Sequence, residues 1–94
     1  MDRNRLNKER KKIDNIDQQI FKLIKKRTGV VKKMLALKKY KHEIVDHKRI
    51  KQILLTLKRK SIKNNIDPKI TKKICSSMIW SYVDFQKRNQ YKIK

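Results

Sequence analysis

The pattern of apolar positions divides the chain into three helical stretches. In the first, Leu6, Ile13, Ile16, Ile20, Leu23, Ile24, Val30, Val31, Met34 and Leu37 recur at spacings that are mostly three and four. That is the spacing of one helix face, and it predicts a helix from about Asn4 to Lys41. Gly29 alone interrupts it, at a cost of about 1 kcal/mol relative to alanine. A short connection follows over roughly Tyr40 to Val45. Asp46 then stands as the cap of a second helix, His47 to Lys63, with Ile50, Ile53, Leu54 and Leu57 on its apolar face. Asn64-Asn65 ends it. Asp67-Pro68 starts the third helix, with aspartate as N-cap and proline at the first helical position. This helix runs to about Asn89 and carries Ile70, Ile74, Met78, Tyr82 and Phe85 on one side. Residues 1–5 and 90–94 are expected to fray. The order is long, short, medium, an all-α fold in a single domain over residues 1–94.

A helix of the first one's length reaches on the order of 55 Å at ~1.5 Å per residue. The rest of a 94-residue chain is too short to cover it within one monomer. The apolar stripe therefore needs a partner, and a second copy of the chain is the simplest one. A chain this small also buries only a modest core by itself. The expectation is an intertwined helical homodimer.

Composition narrows the class. One glycine and one proline exclude hairpin-rich β folds, and Cys75 as the sole cysteine excludes a disulfide framework or a cysteine-based metal site. No apolar run approaches the ~20 residues of a membrane-spanning helix, and the N-terminus lacks a signal-peptide apolar region. A soluble, cytoplasmic protein with no membrane partner is expected. The formal charge of +21 has two readings. One is a nucleic-acid or membrane surface. The other is codon drift in an AT-rich genome, since lysine outnumbers arginine and isoleucine and asparagine are abundant. The lysines are spread in pairs such as Lys11-Lys12, Lys25-Lys26 and Lys32-Lys33. A nucleic-acid patch is more often clustered, arginine-rich and interleaved with aromatics, so nucleic acid is not the expected partner. A basic helical dimer that binds nucleic acid stays as the non-enzymatic alternative.

The polar residues that break the apolar pattern carry the candidate chemistry. Arg27 continues the series Ile13, Ile16, Ile20, Leu23 and precedes Val30 and Met34. A guanidinium there either snorkels to solvent or meets an anion. Lys38 lies eleven residues on, ~20° from three full turns, with its Cα ~16 Å away. Both side chains can converge on a small anion, although a lysine in this chain is by default a surface residue. Arg10 points about 100° from Arg27 and starts ~25 Å up the helix, so in an antiparallel dimer it serves the other subunit's pocket. On the third helix Met78, Tyr82 and Gln86 form a row, and a glutamine closing an apolar row can aim an amide N–H at a ligand. Arg49 sits in the first turn of the second helix. His42 and His47, near Glu43 and Asp46, permit a metal site on paper, but solvated loop histidines are the expectation. Trp80 reads as a packing residue, and Cys75 as a small buried hydrophobe.

Taken in order, these residues resemble the all-helical type of chorismate mutase. Arg10 followed by Ile13-Asp14-Asn15-Ile16-Asp17 is similar to that family's opening motif, an arginine before I-D-x-I-D. Leu23-Ile24-Lys25-Lys26-Arg27 is similar to its L-L-x-x-R, and Lys38 stands where the family has a lysine. Asp46 to Arg49 matches D-x-x-R at the start of the second helix, Ile66-Asp67-Pro68 leads into the third, and Gln86 matches the closing glutamine. The resemblance covers roughly Leu6 to Lys87. It implies a dimer with two equivalent sites, each using Arg27, Lys38, Arg49 and Gln86 of one chain and Arg10 of the partner subunit, with Asp46, Ile50 and Tyr82 also against the substrate. It implies a cofactor-free, metal-free Claisen rearrangement of chorismate to prephenate. The arginines would pair with the dianion's carboxylates, while Lys38 and Gln86 would donate to the ether oxygen.

Three departures point to a sister activity. Standard mutases carry a glutamate after the arginine of D-x-x-R, and here that position is Ile50. Many have serine four residues before the glutamine, and here it is Tyr82. The Lys38–Arg49 connection looks one residue shorter. All three resemble isochorismate-pyruvate lyase, which forms salicylate and pyruvate. Mutase is the first expectation and the lyase the alternative.

Overall fold

The computed structural model describes residues 2–90, and among these the regular structure is helical: α1 (Arg3–Leu37), a 3₁₀ turn (Lys41–Glu43), α2 (His47–Lys63) and α3 (Pro68–Arg88). Three helices in the order long, short, medium agree with the sequence pattern. The chain falls into two compact units, Met1–Lys32 and Lys33–Lys94. The expected fraying of residues 1–5 is corrected at Arg3, Asn4 and Arg5, which already belong to α1, while residue 1 and, of the expected 90–94, residues 91–94 lie outside the described residues.

The first unit is the greater part of α1. The helix starts at Arg3, with the Asp2 carboxylate accepting the Arg5 amide at 3.1 Å. Its apolar row is open: Ile13, Ile16, Ile20, Leu23 and Ile24 are each 42 to 61 % exposed. Such a row recovers hydrophobic free energy only against another surface.

The second unit holds the core. Ile44 and Val83 are buried against each other, with Leu35 and Val45 packed around them. This contact explains the largest departure from the expected boundaries. The helix α1 ends at Leu37 rather than near Lys41, and Tyr40 is extended (φ −130°, ψ 146°). Continuing the helix would carry Ile44 past the α3 face that buries it. The chain instead leaves the helix and closes a small turn. There Glu43 N–H donates to the Tyr40 carbonyl at 3.1 Å, and the Glu43 carboxylate accepts the Tyr40 amide at 3.2 Å. The two residues thereby cap each other.

Helix α2 keeps its expected limits because both ends carry strong signals. The Asp46 carboxylate accepts the Arg49 amide at 3.0 Å. At the other end Asn65 adopts φ 58°, Ile66 N–H reaches back to the Ser61 carbonyl at 2.9 Å, and Asn65 N–H to that of Ile62 at 3.3 Å. That is a Schellman cap with asparagine in the left-handed position. Asp67 then caps α3 through the Lys69 amide at 2.9 Å, with Pro68 next.

Helices α2 and α3 pack on each other. The buried side of α3 is Ile79, Val83 and Gln86, not the expected row through Ile70 and Ile74, which are 53 and 62 % exposed. Near the closed end of the pair, beside the 64–67 turn, a hydroxyl couple replaces apolar packing. Ser61, 2 % exposed, donates Oγ–H to the Leu57 carbonyl at 2.6 Å and lies 2.6 Å from Thr71 Oγ1. Each hydroxyl has one proton, and Thr71 Oγ1 also lies 3.3 Å from the Pro68 carbonyl, so the two shorter contacts assign Ser61's proton to Leu57 and Thr71's to Ser61.

Candidate active site

The site is built where the end of α1 meets α3. The Lys38 amide closes a last turn onto the Leu35 carbonyl at 3.2 Å, which places its side chain just beyond the helix. Its Nζ donates to Gln86 Oε1 at 2.7 Å. Gln86 sits one turn along α3 from Val83, so the Ile44–Val83 contact fixes its position, and it is only 7 % exposed. Its Nε2 donates to the Tyr82 carbonyl at 3.2 Å. The glutamine is thus held at both ends, and its amide oxygen is turned to the lysine. Tyr82 itself is half-buried.

Electrostatics mark the lysine. Partial burial strips water from its ammonium and lowers its pKa below the ordinary 10.5, while the Glu43 carboxylate acts in the opposite direction. A lysine has three N–H donors and an amide nitrogen has two. Gln86 and the Tyr82 carbonyl each engage one, so both groups keep donors for an incoming oxygen. Two donors held side by side in a poorly hydrated place can stabilise an oxygen that gains negative charge during a reaction.

The start of α2 supplies a second feature. Asp46, Lys48, Arg49, Gln52 and Ile53 line a hollow of about 340 Å³. Two cationic side chains at its rim suit a carboxylate. The Asp46 carboxylate is held by the helix N-terminus. Ile50 is half-buried and does not line this hollow.

The remaining two predicted residues lie on α1 in the first unit. Arg27 is half-buried, and Arg10 is exposed beside Arg3, Leu6 and Asn7. The helical argument that put Arg27 and Lys38 on one face holds only as far as Leu37, because Lys38 is the first residue past the helix. In the second unit, Lys38, Tyr82 and Gln86 are brought together directly. Both histidines are exposed, as expected, with His42 stacked on Tyr40 at a ring-centroid distance of 5.5 Å and His47 6.1 Å from the Trp80 ring.

Sequence reasoning missed Glu43. The readable signal was a polar residue three positions after Tyr40, the spacing of a reciprocal cap. It also passed over Ile44, which stood in a stretch taken for a plain connection.

Residues 9–87 match the family model for chorismate mutase type II. The chain belongs to that family. The matched stretch begins just before Arg10 and ends just after Gln86, so every position singled out above falls within it. No curated protein and no solved structure matches the chain. The family supports a chorismate mutase-type function. Among the described residues, no helix is long and apolar enough to cross a membrane.

Proposed function

We propose that this family member is a chorismate mutase, converting chorismate to prephenate by a pericyclic rearrangement. The observation that carries the reading is the Lys38–Gln86 pair at 2.7 Å, with its glutamine buried. In this reaction a C–O bond breaks as a C–C bond forms, and negative charge grows on the ether oxygen. Lys38 and the Gln86 amide donate to that oxygen. No nucleophile, metal or cofactor takes part. Binding is the work of cations: Arg27 and Arg49 of one chain, and Arg10 of the partner subunit, hold the two carboxylates and keep the substrate in its reactive shape. Asp46 orders the helix start from which Arg49 reaches. Ile50 and Tyr82 give the pocket its apolar wall.

The open apolar row on α1 supports the homodimer in this reading, because that row needs a covering surface and α1 carries Arg10. Mixing inactive Arg10→Ala chains with inactive Lys38→Ala chains is expected to restore part of the activity. No recovery in verified heterodimers would remove the shared site.

A second reading has its own support. Ile50 leaves no carboxylate to accept the ring hydroxyl of chorismate, and with Tyr82 and the short connection it favours isochorismate-pyruvate lyase. Both reactions are pericyclic and use the same lysine and glutamine. The deciding experiment is a paired assay of purified protein on chorismate and on isochorismate, following prephenate and salicylate separately. A higher kcat/KM for prephenate formation is expected. Dominant salicylate would make it the lyase, and neither product from folded protein would overturn both readings.

A further inference from the structure

An apolar concavity with a charged rim lies between α2 and the first turn of α3. Its volume is about 410 Å³, and its lining includes Leu54, Leu55, Leu57 and Pro68 on the floor. Leu55 is 42 % exposed, an open apolar side chain in the floor of the groove. Lys51 and Lys58 stand along the α2 side, and Lys69 and Lys72 along the α3 side, all four exposed.

The spacing of the rim is regular. Lys51 and Lys58 are seven residues apart, about 10.5 Å or two turns along α2. Lys69 and Lys72 are three apart, about 4.5 Å or one turn along α3. Two rows of cations on either side of an apolar trough complement one type of surface: a helix with an apolar stripe flanked by carboxylates.

The groove is separate from the candidate active site. At 100° per residue, Lys51 and Lys58 point roughly 160 to 180° from Arg49 around α2. The groove therefore occupies the back of the helix whose front carries Asp46 and Arg49. The homodimer proposed above is assigned to the open apolar row of α1, and a second copy seated in this groove instead is an outcome that the test below separates. Nucleic acid is poorly matched, since the lining offers neither arginine nor an aromatic ring on which a base could stack.

We propose that the lysine-rimmed groove between α2 and the start of α3 docks an acidic amphipathic helix of a partner protein, its apolar side chains over Leu54, Leu55 and Leu57 and its carboxylates on Lys51, Lys58, Lys69 and Lys72. The active site faces the other way, so docking leaves it open.

The probe is a synthetic fluorescent peptide of 14 to 18 residues (~21–27 Å as a helix), with leucines at i, i+3, i+4 and i+7 and glutamates flanking them. A scrambled peptide of equal charge and a single-stranded oligonucleotide serve as competitors. Anisotropy is measured on full-length protein, with mutase activity and circular dichroism recorded on every variant. The amphipathic peptide is expected to bind, and the scramble at least about tenfold more weakly. The double reversal Lys51→Glu/Lys58→Glu should weaken the amphipathic peptide about tenfold. Leu55→Asp should weaken it comparably while binding of the scramble stays unchanged. Neither change should alter kcat. Equal binding of both peptides, or stronger binding of the oligonucleotide, would overturn the proposal in favour of a general polyanion surface. Dissociation of an oligomer by Leu55→Asp would overturn it in favour of an interface between copies.

Discussion

Replacing Gln86 with leucine separates a catalytic role from a structural one. The two side chains are close in size, and Gln86 lies on the α3 face that also buries Ile79 and Val83. The substitution removes the oxygen that accepts Lys38 Nζ at 2.7 Å and the nitrogen that donates to the Tyr82 carbonyl at 3.2 Å. The second loss is small, because that carbonyl belongs to a helix turn and an amide bond of this length contributes only about 0.5–1.5 kcal/mol. The first is larger, since a hydrogen bond from a charged donor contributes about 1.5–3 kcal/mol. Part of that is recovered, because Lys38 is only half-buried and can turn to water, and leucine gains apolar contact with its neighbours. The net effect on stability is therefore expected to stay within about 1–2 kcal/mol.

Catalysis responds differently. If the amide donates to the oxygen that gains charge, its loss costs about 10²–10³ in kcat, or roughly 2.7–4 kcal/mol of barrier. The assay is steady-state kinetics on chorismate and isochorismate, alongside urea unfolding at fixed protein concentration. The expected outcome is a folded protein with a hundredfold or greater loss (about 10²,) in kcat and a small change in KM. A variant that keeps kcat within about threefold of wild type, less than 1 kcal/mol of barrier, would refute the role assigned to Gln86 and weaken the case for Lys38.

Three further outcomes are expected. Because Lys38 has its pKa lowered, kcat/KM should fall on the alkaline side below 10.5, and Lys38→Arg should remove that limb even where activity is reduced. The same shift has a stability sign: between the folded value and 10.5 the unfolded chain holds a proton that the native one has lost, so stability rises with pH across that window, and Lys38→Met should flatten the rise in urea midpoints. Ser61→Ala should cost about 1–2 kcal/mol and Thr71→Val somewhat less, while the double variant should be less destabilised than the sum by about 1 kcal/mol, because two apolar groups leave no orphaned hydroxyl; additive urea midpoints would contradict the proton assignment in that couple. Gly29→Ala meets no atom within 4 Å in the chain itself and should raise the melting point through about 1 kcal/mol of helix propensity, and a lower melting point would instead reveal a partner chain close to Gly29.

The parts of the fold that were legible in the sequence are those written in local chemistry. Asp46 and Asp67-Pro68 announce helix starts because a carboxylate and a missing N–H suit the first turn. Asn64-Asn65 announces an end because asparagine tolerates the left-handed conformation. The end of α1 carries no such mark. It is decided by Ile44, which is buried at 5 % exposure against Val83 on an element far along the chain. The face of α3 was misread for a related reason. Apolar residues occur on more than one side of that helix, so Ile70 and Ile74 satisfy the period as well as Ile79 and Val83 do. Only packing on α2 and Ile44 selects between them. The Ser61–Thr71 couple was invisible to a search for apolar residues, because its buried members are polar.

Gln86 was legible for the opposite reason, being polar where the row Met78, Tyr82 led to an apolar expectation. That contrast bears on the charge of the chain. A formal +21 spread over a helical surface acts mainly at long range, is screened within about 8–10 Å at ordinary ionic strength, and tolerates exchange of one lysine for another. Lys38 differs from the other lysines in position rather than in type. It is half-buried, fixed by a 2.7 Å bond to a buried amide, and opposed by the single carboxylate of Glu43. A charge held in this way has already undergone the reorganisation that water would otherwise require at the moment of reaction. The surface lysines can hasten the arrival of a dianion, but they cannot lower its barrier. On the function proposed above, the chemistry would depend on a few constrained contacts at the junction of α1 and α3, and the abundance of lysine elsewhere would leave it unchanged.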